Sequence, residues 1–258
     1  GMGWLPASTF NTLFQASGGT VGGGGSQGSA TGVQTISRVG QANRLHTYQW
    51  NRATLRALEG SEAPGVYRTR KSFQPALTVV VAEPLKVSLG TAFHSIQTQY
   101  PTTRTQAANA VVAAIRYRQR FQNQERGKHE VLAGYEVRAA NRSLDSDFVY
   151  TRHQWSAGYK IGGGGQTVVD TFTAGRMSGR APLFERYSLG NSTTLRGWDK
   201  FEVAPVGGDR VVHNSLEYRH RIDGGTSLIA FYDVGAVWNR GTAAEAKHAV
   251  GFGLRSWR

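Results

Sequence analysis

Asp233 stands in the apolar-rich segment FYDVGAVW, where a carboxylate facing hydrocarbon would be very costly. The chemistry open to such a group is a charge-assisted, two-pronged hydrogen bond with a guanidinium. Arg196 supplies one, within the run Leu195-Arg196-Gly197-Trp198. In that run Gly197 permits a tight bend, and Trp198 can bury apolar area against a wall. A second carboxylate, Glu217 in LEYRHRI, lies on the non-apolar face of the segment just before Asp233. Together these residues describe an anchor for a loop. The competing reading is plain: Arg196 as a surface loop arginine and Asp233 as a strand-end carboxylate.

Catalytic constellations are not visible. His94, His129, His153, His213 and His220 are dispersed, with no HExxH and no carboxylate–histidine cluster. GYKIG and GLRSW contain no nucleophile elbow. The chain has no cysteine, so neither disulfides nor thiolate metal ligands are available. Glycine-rich stretches at 18–34 and 162–165 lack the GK[ST] ending and following helix of a phosphate loop. We expect no enzyme activity, cofactor or metal in this chain.

The elements that must position the anchor are strands. Apolar and polar residues alternate with period two over about 8 to 14 residues, between turn signals. In 110–121, Val111, Ala113, Ile115, Tyr117 and Phe121 share one face, and Arg116, Arg118 and Arg120 the other. Residues 130–139 repeat the pattern, with Glu130, Glu136 and Arg138 opposite Val131, Tyr135 and Val137. The two segments suit a hairpin with Arg–Glu pairs across it. Further strands are expected at 76–82, 86–94, 147–160, 166–176, 211–222, 227–238 and 248–256, with weaker patterns at 8–18 and 46–57. In 166–176, Asp170 shares a face with Val168 and Phe172, which blurs the assignment. Segments this long exceed ordinary soluble strands and suit a tilted bilayer crossing. Tyr159 and Trp238, near strand ends, suit lipid headgroups.

The fold expected is therefore all-β, an antiparallel transmembrane β-barrel of which 1–258 is a partial domain, with a flexible Gly/Ser loop at 18–34. A soluble β sandwich is the alternative. Residues 178–209 show no strand pattern, and so long a connection is rare unless it has a task. We expect it to fold into the lumen, with Gly235, Gly251 and Gly253 leaving space for it on the inner wall. The formal charge of +13 raises nucleic acid, an acidic surface or anionic lipid as partners. The basic residues are spaced along strand faces, however, as a polar lumen wall requires. Arg116, Arg118, Arg120 and Arg219 are assigned to that wall, with Gly235, and no nucleic acid is expected.

The segment ERYSLGNSTTLRGW resembles the signature of the BamA/TpsB-like superfamily of outer-membrane assembly and secretion barrels, also called the bacterial surface antigen family. That signature is a glycine-rich approach followed by a V-R-G-F/Y tetrad on a loop folded into the lumen. Here the tetrad reads Leu195-Arg196-Gly197-Trp198. IAFYDVGAVW resembles the partner motif F-x-D-x-G, whose acid receives the loop arginine, and LEYRHRI resembles the intervening strand, whose glutamate faces the tetrad. The resemblance is specific over 183–258. It departs from the family in Leu195 and Trp198, and in lacking a terminal aromatic signal, since the chain ends Ser256-Trp257-Arg258.

The resemblance implies a complete barrel of about 16 strands. About eight segments precede the loop here and three follow it, so we expect strands beyond both ends of this chain. The family's periplasmic POTRA domains are expected outside it as well. By resemblance, the function is insertion of outer-membrane proteins or translocation of a polypeptide. The partners are membrane lipid, an unfolded outer-membrane or secreted polypeptide, and periplasmic accessory proteins. The site is the outer membrane of a Gram-negative-type bacterium, with an organellar outer membrane as the lesser alternative. Two other readings stay open: a passive anion-favouring porin, and a membrane anchor for an N-terminal enzyme domain.

Overall fold

The computed structural model of the chain describes residues 33–41, 66–100, 103–123, 127–190 and 194–256. The strands expected at 8–18 and 46–57, and residues 18–32 of the Gly/Ser stretch, lie outside them. Eleven strands form one sheet: β1 (Val33–Gln41), β2 (Val66–Ala82), β3 (Leu85–Tyr100), β4 (Arg104–Ala107), β5 (Ala110–Asn123), β6 (Gly127–Ala140), β7 (Val149–Gly163), β8 (Gln166–Arg180), β9 (Arg210–Arg221), β10 (Thr226–Trp238) and β11 (Lys247–Ser256). All pairs are antiparallel, in the order β1-β2-β3-β5-β6-β7-β8-β9-β10-β11, and β4 pairs with β3. Among the described residues β1 and β11 are the free edges of an open wall.

Alternation set these strands, and pairing extended them. The segment expected at 76–82 reaches back to Val66, and β8 runs on to Arg180. The strandless connection therefore spans 181–209 rather than 178–209, because Ser178 and Arg180 pair with Thr151 and Val149 of β7. β1 and β4 carry no apolar alternation and gain their order from the neighbouring strand. Among the described residues, eight strands precede the connection and three follow it.

One end of the sheet has tight turns, and the other has longer loops. Glu83–Pro84 joins β2 to β3, Gly164–Gly165 joins β7 to β8, and 222–225 joins β9 to β10. In the last turn the Asp223 carboxylate accepts from the backbone N–H of Gly225 at 2.8 Å and of Thr226 at 2.6 Å, which holds its pKa below the usual range. At the other end lie 141–148, 181–209 and 239–246.

The two faces differ sharply. The outward face exposes Phe93, Leu89, Ile115, Trp155, Phe172, Leu216 and Tyr232, and on β11 Val250, Phe252 and Leu254, where Phe252 is 87% exposed. A continuous apolar surface on this scale marks contact with a partner or a membrane. Strands of 12 to 16 residues, as in β9 and β3, are long enough to cross a bilayer while tilted. Val168, Asp170 and Phe172 all face outward, so alternation holds through β8 with a carboxylate on the apolar side. Asn214 of β9 meets it, donating from Nδ2 to Asp170 Oδ1 at 2.8 Å.

The other face carries buried polar groups and is covered by the 181–209 connection. Leu183, Leu189 and Leu195 from that loop pack with Tyr150, Met177 and Val211 from the strands. Val203, in the short helix α1 (Lys200–Val203), packs against the same cluster. The apolar core of the described chain thus lies between loop and inner face, toward the long-loop end.

Candidate functional site

Loop 181–209 turns back onto the sheet at Tyr187, which forms an isolated bridge with Gly208. The Tyr187 ring lies against Gly175 of β8, where an added Cβ would come 2.4 Å from the ring. Its hydroxyl donates to the His153 carbonyl at 2.6 Å, and burial pushes its pKa up to about 12. Leu189 occupies the space over Gly235, whose Cβ would stand 2.6 Å from Leu189 Cδ1. These two glycines set how closely the loop approaches the wall.

Past Leu195, which is fully buried, the chain reaches Arg196. The guanidinium takes Asp233 in a two-pronged grip, Nε to Oδ2 at 2.7 Å and Nη2 to Oδ1 at 2.6 Å. The Arg196 backbone N–H donates to the same Oδ2 at 3.1 Å. Nη1 donates to Glu217 Oε2 at 2.6 Å, and Nη2 to Ser215 Oγ at 3.1 Å. Ser215 in turn donates to Asp233 Oδ1 at 2.6 Å. The guanidinium carbon lies 3.4 Å from the centroid of the Phe231 ring. One planar cation is thus bound on its edges by carboxylates and on one face by an aromatic ring.

Register explains the convergence. Asp233 of β10 pairs directly with Ser215 of β9, and Phe231 with Glu217, so all four point to the inner face in two adjacent rows. Asp233 is fully buried and Glu217 is 2% exposed. Removing the cation from such a pair leaves uncompensated buried charge, at about 3–5 kcal/mol. Gly197 has φ of +84°, with no atom within 4 Å of an added Cβ, so the bend itself requires glycine here. Trp198 then reaches β11, its Nε1 donating to the His248 carbonyl at 2.8 Å, with Lys247 Nζ 5.2 Å from its ring.

Residues 131–256 match the Omp85 superfamily domain. Over that segment, just under half of the chain, the sequence is similar to this superfamily. The outer membrane protein assembly factor BamA of Nitratidesulfovibrio vulgaris is 31% identical over 94 residues, an alignment covering 31% of this chain and 12% of that relative. The chain is therefore similar to a small part of the relative's length.

The wall arginines are largely spoken for. Arg116 lies 3.7 Å from Glu136, Arg118 and Arg120 bind Glu130 at 2.6 and 2.9 Å, and Arg219 pairs with Glu217. Of the expected spaces, one has another occupant and one has none. A Cβ on Gly251 would meet the Phe231 ring at 2.6 Å, so that glycine accommodates the ring beneath Arg196, and Gly253 faces open space. Only Gly235 of the three makes room for the loop directly.

One partner escaped the sequence reading. Glu185, buried in the loop's first turn, accepts from Arg138 Nη1 at 3.0 Å and lies 3.9 Å from Arg152 Nε. Arg138 also donates to Glu136 at 2.9 Å, and the Arg152 guanidinium stacks 4.6 Å from the Tyr187 ring. Arg138 and Arg152 are visible from alternation as inner-face residues. Glu185 sits in PLFERY with no periodic context, so only proximity identifies it.

Proposed function

We propose that this chain is the wall and plug of an outer-membrane β-barrel that inserts other barrel proteins or passes a polypeptide across the membrane. The observation carrying this is the grip of Arg196 on Asp233 and Glu217, which holds a 29-residue connection against the inner face. A passive pore has no use for so strongly held an obstruction. An unfolded client requires an edge that can offer backbone hydrogen bonds, together with a segment that stabilises the wall while that edge is engaged. In this reading residues 1–258 form one part of a barrel of about 16 strands, with 181–209 as its lumen segment and Arg196, Asp233 and Glu217 as its anchor. The chain contributes no catalysis. Its partners are lipid, an unfolded outer-membrane or secreted polypeptide, and accessory proteins on the periplasmic side of a bacterial outer membrane.

The paired state of Arg116, Arg118, Arg120 and Arg219 speaks against anion conduction as the task, since a carboxylate beside each offsets the attraction. The test is Arg196→Ala in the full-length protein. Assembly or secretion of its client should fall while strand content by circular dichroism stays unchanged. Undiminished client handling with the loop demonstrably released would remove the reading.

A further inference from the structure

The outer face of β8 reads Val168, Asp170, Phe172, Ala174, Arg176, Ser178 and Arg180 toward the long-loop end. It changes from largely apolar to basic at Arg176. The outer face of β9 does the same in reverse, opening with Arg210 and continuing with the exposed Val212 and Leu216. Arg176 and Arg210 are direct cross-strand partners. Side chains so placed have Cβ atoms about 5 Å apart, and two like charges there repel. Both are exposed. Arg176 makes no ion pair among the described residues, and Arg210 has only Asp209, with Nε 4.0 Å from Oδ1.

The row they occupy is flanked by rings. His153 pairs across from Arg176, and Trp238 across from Arg210. His153 is fixed by stacking on Trp155, with centroids 6.0 Å apart, and by a 2.6 Å hydrogen bond between its Nδ1 and Tyr135 Oη. Amphipathic rings of this kind gather where hydrocarbon meets headgroups. Arg180 lies two positions farther out on the same face, beyond Ser178, its guanidinium 5.7 Å from the Phe148 ring.

We propose that Arg176 and Arg210 form a binding site on the outer wall for the phosphate of a lipid headgroup, in the leaflet at the long-loop end, with Arg180 as an outlying third contact. A phosphate oxygen set bridging the two guanidiniums converts their repulsion into two charge-assisted contacts. The apolar surface directly below, at Ala174 and Val212, takes the start of the acyl chains. A free anion has no use for that apolar floor, and so the lipid is the occupant. The inference rests on the outward face being a lipid surface. That premise is tested separately by whether the chain leaves membranes only with detergent.

The experiment titrates the full chain, in a zwitterionic detergent, with phosphatidylglycerol or phosphatidylcholine and counts bound lipids by native mass spectrometry. Wild type should hold its first phosphatidylglycerol about tenfold more tightly than phosphatidylcholine. R176Q/R210Q should lose that preference, R176K/R210K should keep most of it, and R142Q, at an exposed loop arginine, should match wild type. Without anionic lipid, R176Q alone should unfold at the same temperature as wild type or higher, because it removes a repulsion. Two results would overturn the proposal: an unchanged preference in R176Q/R210Q, or equal displacement of phosphatidylglycerol by millimolar inorganic phosphate, which would make the ligand a soluble ion.

Discussion

Glu185 of the loop accepts a 3.0 Å hydrogen bond from Arg138 of β6, while Arg196 of the same loop donates to Asp233 of β10. The loop is therefore fastened at two points of opposite polarity, an acid onto basic wall residues and a base onto acidic ones. Reversed polarity fixes direction and register together. A loop shifted along the wall would set Glu185 toward carboxylates or Arg196 toward arginines, and either arrangement is repulsive.

The first fastening should be measurable on its own. Glu185→Gln keeps the shape but leaves Arg138 and Arg152 to share Glu136 with Arg116. A loss of partner at a site this enclosed costs on the order of 3 kcal/mol. We expect faster tryptic cutting after Arg186 in the folded protein, with strand content unaltered. Cutting at the wild-type rate would show that Glu185 holds nothing.

Arg196→Lys should fail almost as completely as Arg196→Ala. An ammonium is a single point of charge. It cannot satisfy both Asp233 oxygens, Glu217 and Ser215 at once, nor lie flat on Phe231. The variant keeps the charge balance, so a loop that remains protected from protease in it would mean that charge alone suffices and the two-pronged geometry is incidental.

Much of this arrangement is legible without coordinates, for physical reasons. Period two assigns Asp233 and Glu217 to the same face as soon as their apolar neighbours are assigned to the other. A mid-strand carboxylate in FYDVGAVW demands a cation, and Arg196 is the one flanked by a flexible residue and a ring. What alternation cannot supply is register between elements. It places Gly251 inward, yet only pairing with Phe231 reveals that a wall ring fills its space. Glu185 lies in irregular chain, where no period constrains direction. β4, with the sequence RTQA, has no apolar signal at all and is a strand because β3 offers it free backbone groups.

Close approach gives a prediction with its own rescue. Gly235→Ala puts a Cβ 2.6 Å from Leu189 Cδ1 and 3.0 Å from the Val212 carbonyl oxygen. The loop must then lift, loosening the grip of Arg196 on Asp233, which is two residues from Gly235 on the same strand face. Thermal stability should drop by about 1–3 kcal/mol. Adding Leu189→Ala vacates the contested space, so G235A/L189A should recover loop protection relative to G235A alone. If the double variant is worse than both singles, the glycine is serving the strand rather than the loop.

Trp198 joins the loop to the last described strand, and this tie separates loop order from edge order. Its Nε1–H reaches the His248 carbonyl at 2.8 Å, on β11, whose far side has no partner strand among the described residues. Trp198→Phe keeps most of the ring area and removes only the donor. The net loss is about 1 kcal/mol, with one backbone carbonyl returned to solvent. Arg196 is untouched, so the loop should stay protected from trypsin. Amide exchange should rise in β11 around Val250, and not in β10, which is paired on both sides. Faster exchange in β9 and β10 as well would mean that the indole supports the anchor rather than the edge. No change in β11 would mean that the bond has no hold on that strand.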